Sequence, residues 1–481
     1  MPLAVLAEFI INGPPPWMPD PWLLLKAGTG LGALAVTKRY MSGAASTAER
    51  VMHGRVVLIT GGTSGIGAAT TYEMARRGAQ VVLLTHVAAS DPFLVEFIED
   101  MRERTGNHLI YAEHVDLTSL HSVRQFATRW IDNAPPRRLD MIILCAATLT
   151  PPGGSRTETA EGVETTWMVN YLANVHLLAI LSPAIRAQPF DRDVRIILTT
   201  CSAYIGSPPL DAVLDKKDWS PGRAYARSKL ALMSFGRAYQ KHLDAYKRPD
   251  ELPMNARVFL VDPGLSRTPG TRRWLSRGSL WGLLLYVLLY AFSWLFLKSP
   301  EMGAQSILFA VFQESLIRLP GGRLIKECMV VDCARKDVDD EAIAKKLWES
   351  SDKLIERVEK DEAVRRARAK KELEKIEEEA TTAEKVDEIE SLLDTIKKGK
   401  ASEAKKSAAS SKKPKAGGGK AARGKNHNPS QCHPVFFTDK LRRQPPFALA
   451  GLPSMSSRHV SPVAQGYAYQ DGQRGGQKPR L

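Results

Sequence analysis

Residues 55–70 read RVVLITGGTSGIGAAT. The first six form an apolar run of the kind that makes a strand buried on both faces. Residues 68–78 (AATTYEMARRG) carry a helical pattern that stops at a glycine. Between strand and helix, Gly61, Gly65 and Gly67 let the backbone turn tightly and approach a pyrophosphate seated on the helix N-terminus. A glycine triplet alone is weak evidence, and a tight ligand-free turn is the competing reading. The longer string Thr-Gly-x-x-x-Gly-Ile-Gly in its strand–turn–helix setting favours the dinucleotide.

Outward from this unit, apolar runs recur at 80–85 (QVVLLT), 108–116 (HLIYAEHVD), 139–147 (LDMIILCAA), 194–200 (VRIILTT), 256–264 (ARVFLVDPG) and 322–332 (GRLIKECMVVD). Helical stretches separate them. Strands this apolar, alternating with helices, predict an α/β fold: a doubly wound parallel sheet of the Rossmann type, covered on both faces.

A second feature sits at 223–232, RAYARSKLAL, where Tyr225 precedes Lys229 by four residues. On a helix the two side chains share a face. A lysine cation beside a phenol favours the phenolate and lowers its pKa from about 10. Such a tyrosine can exchange a proton with an alcohol or a carbonyl. With 12 tyrosines in a lysine-rich chain, one pair of this kind is expected by chance, so the context decides.

That context resembles the short-chain dehydrogenases/reductases over roughly residues 54–335. The elements are TGGTSGIG (60–67), Asp116–Leu117 after the third strand, VNYLANVHLL (169–178), Ser202 after the fifth strand, YARSK (225–229) and PGLSRT (263–268), in the family's order. The resemblance implies a nicotinamide dinucleotide bound by Thr60, Gly61, Ser64, Gly65, Ile66, Gly67, Asp116, Leu117, Pro263, Gly264 and Thr268. It implies Tyr225 as general acid/base. Lys229 would tune Tyr225 and bind the nicotinamide ribose, Ser202 would hydrogen-bond the substrate oxygen, and Asn170 would hold the lysine through a water-linked relay. Hydride transfer to a carbonyl develops an alkoxide, which needs hydrogen-bond donors and then a proton. One departure stands out: Cys145-Ala146-Ala147-Thr148 replaces the family's Asn-Asn-Ala-Gly after the fourth strand, which removes hydrogen bonds that brace it. After the second strand, Thr85-His86-Val87 offers no carboxylate for the ribose hydroxyls of NAD. His86 is a candidate partner for a 2′-phosphate, so NADP(H) is favoured over NAD(H). No metal site is expected.

Residues 280–297 (LWGLLLYVLLYAFSWLFL) carry no charge, with Arg272, Arg273 and Arg277 before them and Lys298 after. Eighteen residues is the threshold for a spanning helix. The strand at 322–332 must still join the sheet, so the insert is expected to enter lipid and return, or to lie along its surface. A buried substrate lid is the alternative. An N-terminal leader, 1–50, is apolar over 2–12 and 22–37. It is either a second membrane contact, through 1–37, or a segment packed on the domain. The expected organisation is then a Rossmann domain over 51–335, a charged helical segment over 336–400 and a disordered basic tail over 401–481. The net charge of +15 is mostly that tail's. It lacks the aromatic interleaving of a base-stacking surface, which argues against nucleic acid as the main partner. Five scattered cysteines argue against a disulfide framework.

The insert and the long Ser202–Tyr225 spacing resemble the retinol-dehydrogenase-like group, and within it the fungal lipid-droplet oxidoreductases. The expectation is an oxidoreductase of the lipid-droplet or endoplasmic reticulum membrane, its catalytic domain facing the cytosol. It would transfer a hydride between NADP(H) and an apolar alcohol or carbonyl of the retinoid, steroid or long-chain aldehyde class. The competing reading is a non-catalytic dinucleotide-binding scaffold with a basic recruiting tail.

Overall fold

The computed structural model describes residues 20–134, 137–211 and 218–409. The chain divides into two units, Met1–Glu390 and Ser391–Leu481, and the sheet lies in the first. The expectation of disorder over 401–481 falls from residue 410 onward outside the described residues, as does the leader before residue 20.

In chain order the elements are α1 (Pro21–Ser42), β1 (Val56–Thr60), α2 (Gly65–Arg76), β2 (Gln80–Thr85), α3 (Pro92–Thr105), β3 (Ile110–His114), α4 (Leu120–Ile131), β4 (Met141–Leu144) and α5 (Thr165–Arg186). They continue with β5 (Val194–Thr199), α6 (Pro221–Asp244), β6 (Ala256–Asp262), α7 (Pro269–Leu275), α8 (Leu280–Leu288), α9 (Tyr290–Phe296), α10 (Pro300–Phe312), β7 (Arg323–Lys326), β8 (Met329–Val331) and α11 (Glu341–Ala409).

The sheet order is β3-β2-β1-β4-β5-β6-β7-β8, all parallel up to β7. Chain direction across the sheet reverses between β1 and β4, which opens the crevice where such folds bind ligands. Side chains of β1 alternate as a pleat requires: Val56 and Leu58 enter one core, Val57 and Ile59 the other. Helices α4, α5 and α6 cover the first core; α2, α3 and α10 cover the second. The run at 322–332 makes a hairpin rather than one strand, because β8 folds back antiparallel on β7. Its two turn residues, Glu327 and Cys328, have φ of 50° and 56°, a conformation that usually selects glycine or asparagine. The Glu327 carboxylate, held by Lys298 and by the Ala44 amide, ties this turn down.

The segment 336–400 is helical, but its first turns are not a solvated face. Leu347, Ile355 and Val358 are buried in the first core, Trp348 packs 5.2 Å from Phe235, and the Tyr171 hydroxyl meets Ser351 Oγ at 2.8 Å. Glu359 then pairs with Arg124 of α4. Apolar residues three, four and seven apart give this stretch the stripe that burial needs. Farther along, Ile376, Val386, Ile389, Leu393 and Ile396 are exposed. Ile355→Ala should therefore destabilise the fold by about 2–5 kcal/mol, while Ile376→Ala should stay within about 0.5 kcal/mol of wild type. Denaturant midpoints of the two variants measure the difference.

Candidate active site

The parallel strands end at one edge, and the predicted residues collect there. Thr60 closes β1, its Oγ1 accepting from Ala146 N at 3.2 Å. Gly61 and Gly65 take φ of 67° and 54°. A Cβ on Gly67 would stand 2.1 Å from the Gly61 carbonyl oxygen, so only glycine permits this approach of helix to turn. Ser64 is the N-cap of α2 yet makes no side-chain cap bond. Its hydroxyl and the first-turn amides are left for an anion. A Cβ on Gly65 would meet Thr268 Cγ2 at 3.0 Å, which shows the loop after β6 lying against the glycine turn. Asp116 follows β3 and folds onto its own loop, accepting from Thr118 N at 2.8 Å, with Leu117 buried behind it. Pro263 is buried, Gly264 has φ of 75°, and His86 is exposed just past β2. These residues fit a dinucleotide: a glycine cradle, free amides at a helix N-terminus, and a second loop closing over it.

The residues expected to handle the proton lie on or just after β5, α5 and α6. Lys229 is buried, donates to the Thr199 carbonyl at 2.9 Å, and lies 5.7 Å from the centroid of the Tyr225 ring. Asn170 is fully buried in a single π-helical turn, Met168–Leu172, a distortion common at functional sites. Its amide braces the loop after β4, with Oδ1 accepting from Thr148 N at 2.7 Å and Nδ2 donating to Thr148 O at 3.0 Å. The bracing expected to vanish with the Asn-Asn pair is thus supplied from α5. Asn170 Nδ2 also donates to Ser228 Oγ, which donates to the Tyr225 carbonyl at 2.8 Å. Asn170 therefore positions the Tyr225 turn of α6. Cys145 Sγ lies 3.3 Å from Thr199 Oγ1, and burial pushes its thiol up to about 11, so it stays neutral.

The expected lowering of the Tyr225 pKa is corrected by the structure. Burial raises it well above its ordinary value, and the neighbouring Cys201 and the Asp262 charge add to the rise. The same burial lowers Lys229. Burial disfavours the charged phenolate and so raises a phenol's pKa. Cys201 is a close neighbour of the Tyr225 hydroxyl and adds to the rise.

Three residues absent from the sequence reading belong to this site: Cys201, Asp262 and Lys326. Ser202 Oγ donates to Asp262 Oδ2 at 2.5 Å and accepts from Lys326 Nζ at 2.9 Å. Position held the available signal for Asp262: it ends a strand immediately before Pro263-Gly264, where this fold places ligand contacts. Nothing local marks Lys326, which becomes a neighbour only through the Asp262↔Lys326 register of the β6–β7 ladder.

The apolar insert leaves and rejoins this same edge. Ser266 and Lys298 form a β-bridge at its base, with Arg267 N donating to Lys298 O at 2.8 Å. Between them stand α7, α8 and α9, and no large apolar residue of α8 or α9 is buried: Leu280, Trp281 and Leu288 are 85%, 82% and 72% exposed. Helix α1 packs against α9, and Lys38 Nζ donates to the Trp294 carbonyl at 2.5 Å. Its Trp22, Leu31 and Val36 are exposed too. Among the described residues, only the α5 helix is long and apolar enough to cross a membrane, and it is mostly buried in the core.

A family model described as short chain dehydrogenase matches residues 55–277. The chain is 44% identical over 340 residues to "Uncharacterized oxidoreductase pbr1" of Schizosaccharomyces pombe, covering 70% of this chain and 90% of that one. It is 29% identical over 330 residues to Retinol dehydrogenase 13 of Homo sapiens, covering 68% and 92%. With Polyprenol dehydrogenase of Mus musculus it shares 33% identity over 301 residues, covering 61% and 82%.

Gly67→Ala tests the cradle. The added methyl must displace the Gly61 carbonyl, so NADPH binding, followed by fluorescence titration, should weaken roughly tenfold or more while the protein remains folded.

Proposed function

The chain belongs to the short-chain dehydrogenase family, and from that premise we propose that it is an NADP(H)-dependent oxidoreductase working at a lipid surface on an apolar alcohol or its carbonyl counterpart. The observation that carries the reading is the gathering of Ser202, Tyr225 and Lys229 at the sheet edge from which the exposed apolar insert departs and to which it returns.

The chain's own residues divide the work. When bound, the dinucleotide supplies or accepts the hydride. In reduction, Tyr225 gives its proton to the oxygen that gains charge as the carbonyl carbon is reduced. Its raised pKa keeps that proton available at neutral pH. Lys229 adds positive charge beneath it, and Asn170 fixes both the Tyr225 turn and the loop after β4. Preference for NADP(H) rests on the residues just past β2, where His86 is exposed and no carboxylate stands to repel a 2′-phosphate.

Lipid association rests on exposure and length. Helices α8 and α9, of 9 and 7 residues, rise about 14 and 10 Å, far short of a hydrocarbon core of about 30 Å. A segment this short, with both ends on one edge of one sheet, enters a single leaflet and comes back. This geometry suits a lipid-droplet monolayer, or the cytosolic leaflet of the endoplasmic reticulum, and an apolar substrate drawn from it. A retinoid, steroid or long-chain aldehyde fits that description.

Tyr225→Phe keeps the ring and removes the transferable proton. Turnover of a long-chain aldehyde, followed with NADPH and with NADH, should fall about a hundredfold or more with both, and wild type should favour NADPH. Near-normal turnover by the variant would sink the assignment.

Leu284, Leu288 and Phe292 are exposed, so replacing all three with Asp spares the core. Each removes roughly 1.5–3 kcal/mol of apolar transfer. The triple variant should leave the membrane fraction while still binding NADPH. Unchanged fractionation would argue instead for a protein-facing lid.

A further inference from the structure

Ser202 does not stand alone at the end of β5. The C-terminal ends of β5, β6 and β7 bring Ser202, Asp262 and Lys326 side by side, with Asp262 and Lys326 direct partners in the parallel ladder. Asp262 is 3% exposed and accepts twice, from Ser202 Oγ at 2.5 Å and, through Oδ1, from Gly264 N at 2.9 Å. Lys326 Nζ lies 3.7 Å from the Asp262 carboxylate and donates to Ser202 Oγ.

A serine hydroxyl has one proton and two lone pairs. Here the proton goes to Asp262 and one lone pair to Lys326, so one lone pair is unassigned. A hydrogen bond to a carboxylate is roughly twice as strong as one between neutral groups. A neutral substrate carbonyl therefore competes poorly for the Ser202 proton.

We propose that Asp262 is a positioning residue that turns Ser202 into a hydrogen-bond acceptor toward the substrate, so that this site recognises the hydroxyl of the alcohol form in preference to the carbonyl form. The substrate oxygen then receives its hydrogen bond from Tyr225 and, as an alcohol, donates its own to Ser202. A carbonyl has no proton to give and leaves the Ser202 lone pair unmatched. The inference rests on the reading of Ser202 and Tyr225 as substrate contacts, and it adds a specificity that reading does not contain.

The experiment measures binding, not turnover, on the full-length protein in detergent with NADP+ present. The probes are a tertiary long-chain alcohol, 2-methyl-2-tridecanol, which cannot be oxidised, and N,N-dimethyldodecanamide, a tertiary amide whose carbonyl is not reduced and which has no proton to donate. Wild type should bind the alcohol at least tenfold more tightly. Ser202→Ala should weaken the alcohol about tenfold and leave the amide unchanged. Asp262→Asn keeps an acceptor for Gly264 N but can turn its NH2 toward Ser202 Oγ; this releases the Ser202 proton and should invert the preference. Lys326→Met leaves that proton on Asp262 and should retain the alcohol preference. Selective weakening of the amide by Ser202→Ala would overturn the proposal. So would an Asp262→Asn protein that binds NADPH normally and treats both probes as wild type does, or that loses both equally. If Asp262→Asn binds no NADPH, the Ser202→Ala pair of affinities decides by itself. Failure of the underlying reading is separate: Tyr225→Phe would then retain turnover, whatever the two probes report.

Discussion

The β6–β7 ladder, from Phe259↔Arg323 to Asp262↔Lys326, is the constraint from which the rest follows. Thirty-one residues leave the sheet after Ser266 and come back at Lys298, and the main chain must still deliver β7 beside β6. A parallel partner needs a crossover that carries the chain back to the opposite edge of the sheet. Helix α10 provides it, burying Ala304, Ile307, Leu308 and Val311 in the second core. The apolar insert therefore projects as a closed excursion from the catalytic edge. Its exposed leucines and aromatics are affordable to the fold only because α10 and β7 complete the sheet without them.

That ladder also arranges the charges. Burial is the leading influence on four groups near Tyr225: it raises Tyr225, Cys145 and Cys201 and lowers Lys229. Each shift favours the neutral form, as expected where water is excluded. Asp262 is buried as well and is matched by the Lys326 cation across the register, with Ser202 between them. Hydrogen-bond direction matters most at Asp262, which is 3% exposed, whereas the Lys326 side chain reaches solvent. Asn170 shows the same economy, satisfying Thr148 and Ser228 with one amide in a π-turn.

At the far side of the sheet, α11 closes the first core. Its opening turns set Leu347, Ile355 and Val358 over α4, α5 and α6, and Glu359 pairs with Arg124. The helix that carries Asn170 is thereby sealed on its outer face through Tyr171 and Ser351. A segment that composition marks as charged thus packs against the helix that carries Asn170.

The sequence by itself determined the doubly wound sheet and the glycine turn, and it singled out Ser202, Tyr225, Lys229 and Asn170, which the structure gathers at one edge. Each of these is written in local order: an apolar run, a turn, a helical spacing of four, a position just past a strand. It also marked 280–297 as apolar without saying what those residues face. Only the tertiary structure decided that the Tyr225 pKa rises, because burial is a property of the assembled core. Register across β6 and β7, which no local pattern encodes, brought Lys326 to Asp262 and both to Ser202. The burial of the first turns of α11 is not read from a segment that looks merely charged, because the surface that covers them is assembled from helices more than a hundred residues earlier. Periodicity records which face of an element is apolar; only packing records what lies against it.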